Sequence, residues 1–185
     1  MHLPRVVAIY SPCMQSGKSH VANWLVRERG FVRLPFALLL KEMCRPLFQA
    51  LGYSAREIEL FENGDKTQTV EGVTIRHIYQ TLGTEWGRDR INPDLWVHAW
   101  RRRAETLLDV GRAPGVVADD CRFPNELRTA RGGMGGQLWE IIRPGQAELT
   151  GHASEGQLNG LADFSIINNG TLADLDRRLM LAWSN

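Results

Sequence analysis

Val6-Val7-Ala8-Ile9-Tyr10-Ser11-Pro12-Cys13-Met14-Gln15-Ser16-Gly17-Lys18-Ser19-His20-Val21-Ala22-Asn23-Trp24-Leu25 changes character twice along its length. Val6 to Tyr10 is an unbroken β-prone apolar run, Ser11 to Ser19 is turn-forming, and Val21, Ala22, Trp24 and Leu25 recur at helical spacing until Gly30 stops them. A strand, a loop and a helix with Ser16-Gly17-Lys18-Ser19 at the join is the context that a phosphate-binding P-loop requires. There the free backbone N–H groups of the loop and first helical turn face phosphate oxygens, Lys18 reaches the β and γ phosphates, and Ser19 offers its hydroxyl to magnesium. Met14, Gln15, Ser16, Gly17, Lys18, Ser19 and His20 are therefore the candidate nucleotide-phosphate residues. Pro12 stands where the pattern GxxxxGK[ST] has its first glycine, and since proline fixes φ and lacks an N–H, the start of the loop must differ. The plain alternative is an ordinary Ser-Gly turn with a solvated lysine; the strand before it and the helix after it weigh against that.

Beyond Gly30, the short segment Phe31 to Leu34 leads into Phe36-Ala-Leu-Leu-Leu-Lys-Glu-Met-Cys-Arg-Pro-Leu-Phe48, which reads as a helix with a kink or break at Pro46. Gly64 to Gly72 is polar and reads as exposed. Ile75, Ile78, Tyr79 and Leu82 predict a helix from Thr74 to Gly83, and Asp94 through Leu107 a further one. Pro114 to Asp120 is a compact apolar run ending in two acids, followed by Arg122 to Leu127 with Pro124 suited to a first helical turn. Gln137 to Ile142 and Phe164 to Ile167 read as strands, and Leu172 to Trp183 as a closing helix. Strands alternating with helices predict an α/β fold with a parallel, helix-covered sheet.

Asp119 and Asp120 end the second strand, where an acid of a P-loop protein holds magnesium directly or through water. Capping of the next helix is the plainer role for both. Arg76, Arg88, Arg122 and Arg143 each lie near a predicted loop or element end. Guanidinium forks there suit a reaction that holds two anions together and neutralises charge on a transferred phosphoryl group, although any one of them alone reads as a surface ion pair. His77, His98 and His152 are too dispersed to predict a metal site. Arg101-Arg102-Arg103 beside Trp96 and Trp100 reads as the charged outer face of an amphipathic helix rather than a nucleic-acid platform.

The chain has 185 residues, 43% of them hydrophobic, enough for one sizeable core. With 22 Lys and Arg against 21 Asp and Glu, a net charge of +1 leaves no overall field toward nucleic acid or an anionic membrane. Cys13, Cys44 and Cys121 form no CxxC pair and read as free thiols of a reducing cytosol. The run Val6 to Tyr10 lacks a cleavage-site pattern, and nothing approaches a membrane-spanning length of about 20 apolar residues.

Gln80-Thr-Leu-Gly-Thr-Glu-Trp-Gly-Arg88 and Asp119-Asp-Cys-Arg-Phe-Pro-Asn-Glu126 together resemble the deoxynucleoside monophosphate (dNMP) kinases of tailed bacteriophages. Phe36-Ala-Leu-Leu-Leu-Lys41, Arg143-Pro-Gly145, His152-Ala-Ser-Glu155 and Asn168-Asn-Gly170 extend the likeness over nearly the whole chain. It implies a three-layer P-loop fold: a five-stranded parallel core (1–35, 113–127 and 159–185), a helical substrate-binding insertion (about 36–112) and a small lid (about 128–158). It further implies ATP and Mg2+ as cofactors, a dNMP as acceptor, Lys18, Arg122 and Arg143 as catalytic residues, and Ser19 and Asp119 at the metal. Phe36, Lys41, Arg76, Gln80, Thr84, Glu85, Trp86, Arg88 and Asp120 would bind the acceptor, with the base near Gln80 and Trp86. Lid closure would bring Arg143 over the γ phosphate; a homodimer working in a bacterial cytoplasm is also implied. Leu38-Leu39 stands where the family often has Asp-Pro, and the acceptor base is left open. Two rivals are a dephospho-coenzyme A kinase-like enzyme and an ATP-binding interaction protein that has lost transfer.

Overall fold

The run Val6–Tyr10 forms β1, buried at every position. The computed structural model describes residues 4–13, 15–64, 67–146 and 156–184; Met14 and the His152 to Glu155 motif lie outside the described residues. After β1 come α1 (Lys18–Arg29), β2 (Val32–Arg33), α2 (Leu38–Ala50), α3 (Ala55–Asn63), a hairpin of β3 (Thr69–Val70) and β4 (Val73–Thr74), and α4 (Ile75–Gln80). A π-helical segment, Thr81–Ile91, then precedes α5 (Leu95–Asp109), β5 (Val116–Ala118), α6 (Pro124–Arg131), β6 (Gln137–Ile142), β7 (Phe164–Ile167) and α7 (Leu172–Ser184). The chain divides into two compact units, Met1–Phe36 with Arg101–Asn185, and Ala37–Trp100.

In the first unit five strands pair in the order β2-β5-β1-β6-β7, all in parallel. Strand alternation sends Val7 and Ile9 of β1, Val117 of β5, Trp139 and Ile141 of β6 and Ile166 of β7 into one cluster. They meet Val21, Trp24 and Leu25 of α1 and Leu175 and Leu179 of α7 there. Val6, Ala8, Val116, Ala118 and Leu138 are fully buried as well, and α6 packs on β1 and β6, so helices cover the sheet on both faces. This is the α/β fold with a parallel, helix-covered sheet that the alternating strands and helices predict, with the three layers and five strands that the resemblance implies. Gly30 caps α1, its N–H donating to Val26 O at 3.1 Å.

The second unit has its own core of Cys44 and Phe48 from α2, Ile58 and Phe61 from α3, Val70 from β3 and Ile75 from α4. Here the structure departs from the sequence reading in several places. Helix α2 runs through Pro46 without ending; Pro46 lies on the exposed side of the helix, where water can satisfy the carbonyl that its missing N–H leaves open. The segment read as polar and exposed is so at most of its described positions, but Val70 is buried, 3% exposed, where the chain folds into the β3–β4 hairpin. Gly83 does not stop a helix: it lies within the π-helical segment, where its carbonyl accepts the Trp96 indole N–H at 2.9 Å. Trp96 and Trp100 are buried and Arg101, Arg102 and Arg103 exposed, the amphipathic arrangement expected of α5.

Candidate active site

Strand β1 lies between β5 and β6, and the segments that follow it in sequence run first to one side of the sheet and then to the other. The carboxyl ends of strands at such a switch point are where parallel α/β proteins bind ligands. The loop leaving β1 is shaped by its own atoms: buried Ser11 accepts the Cys13 N–H on Oγ at 3.1 Å, and Gln15 takes a left-handed φ of 49°. Gly17, with φ 104°, caps α1 with no side-chain hydrogen bond. In helix geometry the N–H groups of Lys18, Ser19 and His20 then lack an acceptor four residues back, and the positive end of the helix is left for an anion. Asn168, beyond β7, is buried and donates through Nδ2 to Ser16 O at 2.8 Å. A Cβ on Gly17 would stand 2.8 Å from that nitrogen, so backbone conformation and space both require glycine.

Cations gather at this loop. Lys18 Nζ turns back to within 3.4 Å of Cys13 O and 3.5 Å of Ser16 Oγ. Burial, and then the Arg122 charge, lower its pKa against smaller opposing effects of Asp119 and Cys13. Arg143, one residue past β6, donates through Nη1 to Gln15 O at 3.0 Å. Like charges held near one another in the protein alone are what a polyanion would relieve. Thus Lys18 and Arg143, distant in sequence, meet at one loop, and Arg122 lies near enough for its charge to act on Lys18.

The two acids after β5 part company. Asp119 is buried, and its Oδ2 lies 3.5 Å from Ser19 Oγ. Asp120 Oδ1 instead accepts the Phe36 backbone N–H at 2.8 Å. Neighbouring oxygens of an octahedral Mg2+ shell are about 3 Å apart, so the Ser19–Asp119 pair fits a magnesium ion with little adjustment. No cluster of three or more His, Cys, Asp or Glu suited to a metal is present among the described residues; an ion carried by nucleotide phosphates needs only one or two protein oxygens. The His20 ring is paired through Nε2 with Asp176 Oδ1 at 2.6 Å, which leaves its backbone N–H as the group that the helix start offers a phosphate.

Several residues of this region carry no local signal in the sequence. Arg33 of β2 grips Asp119, Asp176 of α7 orients His20, and Asn168 braces the loop. Asn168 belongs to the motif Asn168-Asn-Gly170; the others are joined to their partners purely by the fold.

In the second unit Lys41 lies on α2 and donates through Nζ to Glu62 O at 2.9 Å. Arg76 and Gln80 are exposed on α4. Thr84, Glu85, Trp86 and Arg88 all belong to the π-helical segment, a form frequent at functional sites. Glu85 Oε1 is 3.5 Å from Thr81 Oγ1, and Arg88 Nη1 is 3.4 Å from Pro93 O. Trp86 is 42% exposed and stands 6.2 Å, centroid to centroid, from the buried Trp96. The close packing is made at Gly87, where a Cβ would come within 2.4 Å of Trp96 Nε1.

A parallel sheet with a left-handed glycine opening the first helix, and lysine, arginines and a hydroxyl–carboxylate pair around it, defines a P-loop phosphotransferase. Known proteins agree. The sequence pattern of the deoxynucleotide monophosphate kinases matches residues 48–179, and the chain belongs to that family. A protein of Acanthamoeba polyphaga mimivirus, proposed to be a deoxynucleotide monophosphate kinase, is 27% identical over 183 residues, covering 92% of each chain. Among solved structures, the dephospho-CoA kinase of Campylobacter jejuni aligns over 99% of this chain and 97% of its own, with a TM-score of 0.51 at 14% identity. At that identity the likeness speaks for the fold alone. Among the described residues no helix is long and apolar enough to cross a membrane.

Proposed function

We propose that the protein transfers the γ-phosphoryl group of ATP to a deoxynucleoside monophosphate, giving the deoxynucleoside diphosphate and ADP. The observation that carries this reading is the meeting of Lys18 and Arg143 at the loop before α1, within reach of the Arg122 charge, in a chain of this family. An oxygen of the acceptor phosphate bonds to the γ phosphorus as the bond from that phosphorus to the β–γ bridging oxygen breaks, and ADP leaves with the electron pair. The acceptor oxygen is already ionised, so the protein needs no general base; its work is positioning and charge neutralisation.

The backbone N–H groups from Gln15 to His20 cradle the nucleotide phosphates, Met14 completing the loop in sequence. Lys18 holds the β and γ oxygens, and Arg122 and Arg143 take up charge on the group in transit. Ser19 Oγ and Asp119 Oδ2 would hold the nucleotide's magnesium, which neutralises charge on the β and γ oxygens. Lys41, Arg76, Thr84, Glu85 and Arg88 bind the acceptor's phosphate and sugar, while Gln80 reads the base edge and Trp86 stacks on it. Asp120 acts through the backbone of Phe36, which it holds. In this reading the sheet-bearing unit, β6 within it, forms the core, and the Ala37–Trp100 unit is the acceptor-binding insertion, a narrower span than 36–112; the lid expected at about 128–158 loses Gln137–Ile142, which pairs with β1 and β7 in the core sheet. Such an enzyme supplies precursors for DNA synthesis, as the phage resemblance suggests.

The test is ADP release in a coupled assay with ATP and magnesium against a panel of deoxynucleoside monophosphates, ribonucleoside monophosphates and dephospho-coenzyme A. Release that depends on one or more deoxynucleotides, and is lost in Lys18→Ala, supports the reading. Release with dephospho-coenzyme A alone overturns the acceptor assignment, and ATP binding with silence across the panel overturns transfer itself.

A further inference from the structure

Asp119 is only 8% exposed, and a carboxylate so placed needs partners to offset lost hydration. Its main partner comes from an edge strand. Arg33 is the last residue of β2, in register with Val117 of β5, and Leu34 N–H donates to Val117 O at 2.8 Å, locking that register. Parallel strands advance together, so Arg33 starts about 6–7 Å, two residues, short of the level of Asp119, a span its side chain bridges. Its Nε donates to Asp119 Oδ1 at 3.1 Å, its Nη2 pairs with Oδ2, and its Nη1 lies 3.5 Å from Asn23 Oδ1 on α1. One planar group is thereby fixed to both carboxylate oxygens and to the helix that carries Ser19.

We propose that Arg33 is the positioning residue for Asp119, its fork setting the carboxylate plane so that Oδ2 stays turned toward Ser19 Oγ as the nucleotide's magnesium is received. The inference rests on the metal assignment made above. An ion pair serving stability alone could sit anywhere along the β2–β5 seam; this one is at the strand tips, and the oxygen it engages is the one facing Ser19. Oδ2 keeps a second lone pair beyond the one that accepts from Arg33. Partners that orient a metal-binding carboxylate typically change metal affinity by about 10- to 100-fold when removed. A lysine would keep the charge but, being a point donor, would not fix the plane.

The experiment is calorimetric titration of the full chain with ATP at a series of MgCl2 concentrations and without metal, for the native protein, Arg33→Gln, Arg33→Lys and Asp119→Asn, with a melting curve for each. Arg33→Gln is expected to raise the magnesium concentration for half-maximal enhancement of ATP binding by about tenfold or more, leaving metal-free ATP binding unchanged, with Arg33→Lys intermediate. If Arg33→Gln does not fold, the shift in Arg33→Lys decides. The inference is overturned if the arginine variants keep the native magnesium dependence or need less metal while Asp119→Asn is shifted. It is equally overturned if metal-free ATP binding weakens in step, since that marks a general structural role. An unshifted Asp119→Asn removes the metal assignment beneath it, and this inference with it.

Discussion

The loop between β1 and α1 and the π-helical segment Thr81–Ile91 divide the proposed chemistry between them, and they are built on opposite plans. In the loop most contacts to phosphate would come from backbone N–H groups, whose directions follow from Gly17 at φ 104° and a brace from Asn168. In the π-helical segment the useful atoms are side-chain ends on an 11-residue stretch, and the backbone is held by packing at Gly87 and by Trp96. A site made of backbone tolerates few residues at its turning points. A site made of side chains can change its ligand without changing its fold.

Four substitutions probe that division. Lys18→Ala carries the largest expected effect, a loss of turnover of at least about a hundredfold in the ADP-release assay; a variant within about threefold of native would break the assignment of the loop. Gly17→Ala comes next. The new methyl meets both a left-handed φ and Asn168, at a cost of about 1–3 kcal/mol, and ATP titration should show weakened binding beside a lowered melting temperature. Gly87→Ala should cost about 1–3 kcal/mol by overpacking against Trp96, with ATP affinity little changed, since the phosphate contacts of the loop come from its own backbone; a matching loss of ATP affinity would erase the contrast between the two regions.

Arg122→Ala is the subtlest. Arg122 helps to lower the Lys18 pKa, so removing it raises that pKa toward the ordinary lysine value while burial still holds it below. ATP binding needs the charged ammonium, and its alkaline limb should therefore move to higher pH, even as affinity falls from the loss of a phosphate partner. An unmoved limb would show that Lys18 does not feel Arg122.

What the sequence made legible follows the same line. A P-loop imposes glycine and lysine at fixed spacing after an apolar strand, so β1, the loop and α1 were readable residue by residue, and β5, β6, β7 and α7 followed from apolar runs bounded by turns. Helix α3 is not among the elements predicted from apolar spacing, although Ser54 and Glu57 form a capping box at its start, a local pattern open to reading. The π-helical segment was hidden for a different reason: its i to i+5 bonding is stabilised by tertiary contacts such as Trp96 with Gly83, and apolar periodicity does not announce it. Arg33 was invisible because its partner lies 86 residues away and only the β2–β5 pairing joins them.

The most direct test of the account is to incubate the native chain and Lys18→Ala with ATP labelled at the γ phosphate, magnesium and each deoxynucleoside monophosphate, and to separate the products by chromatography. The account predicts label in at least one deoxynucleoside diphosphate with native protein and almost none with the variant. Label remaining in ATP, or released only as free phosphate whatever the acceptor, would contradict it.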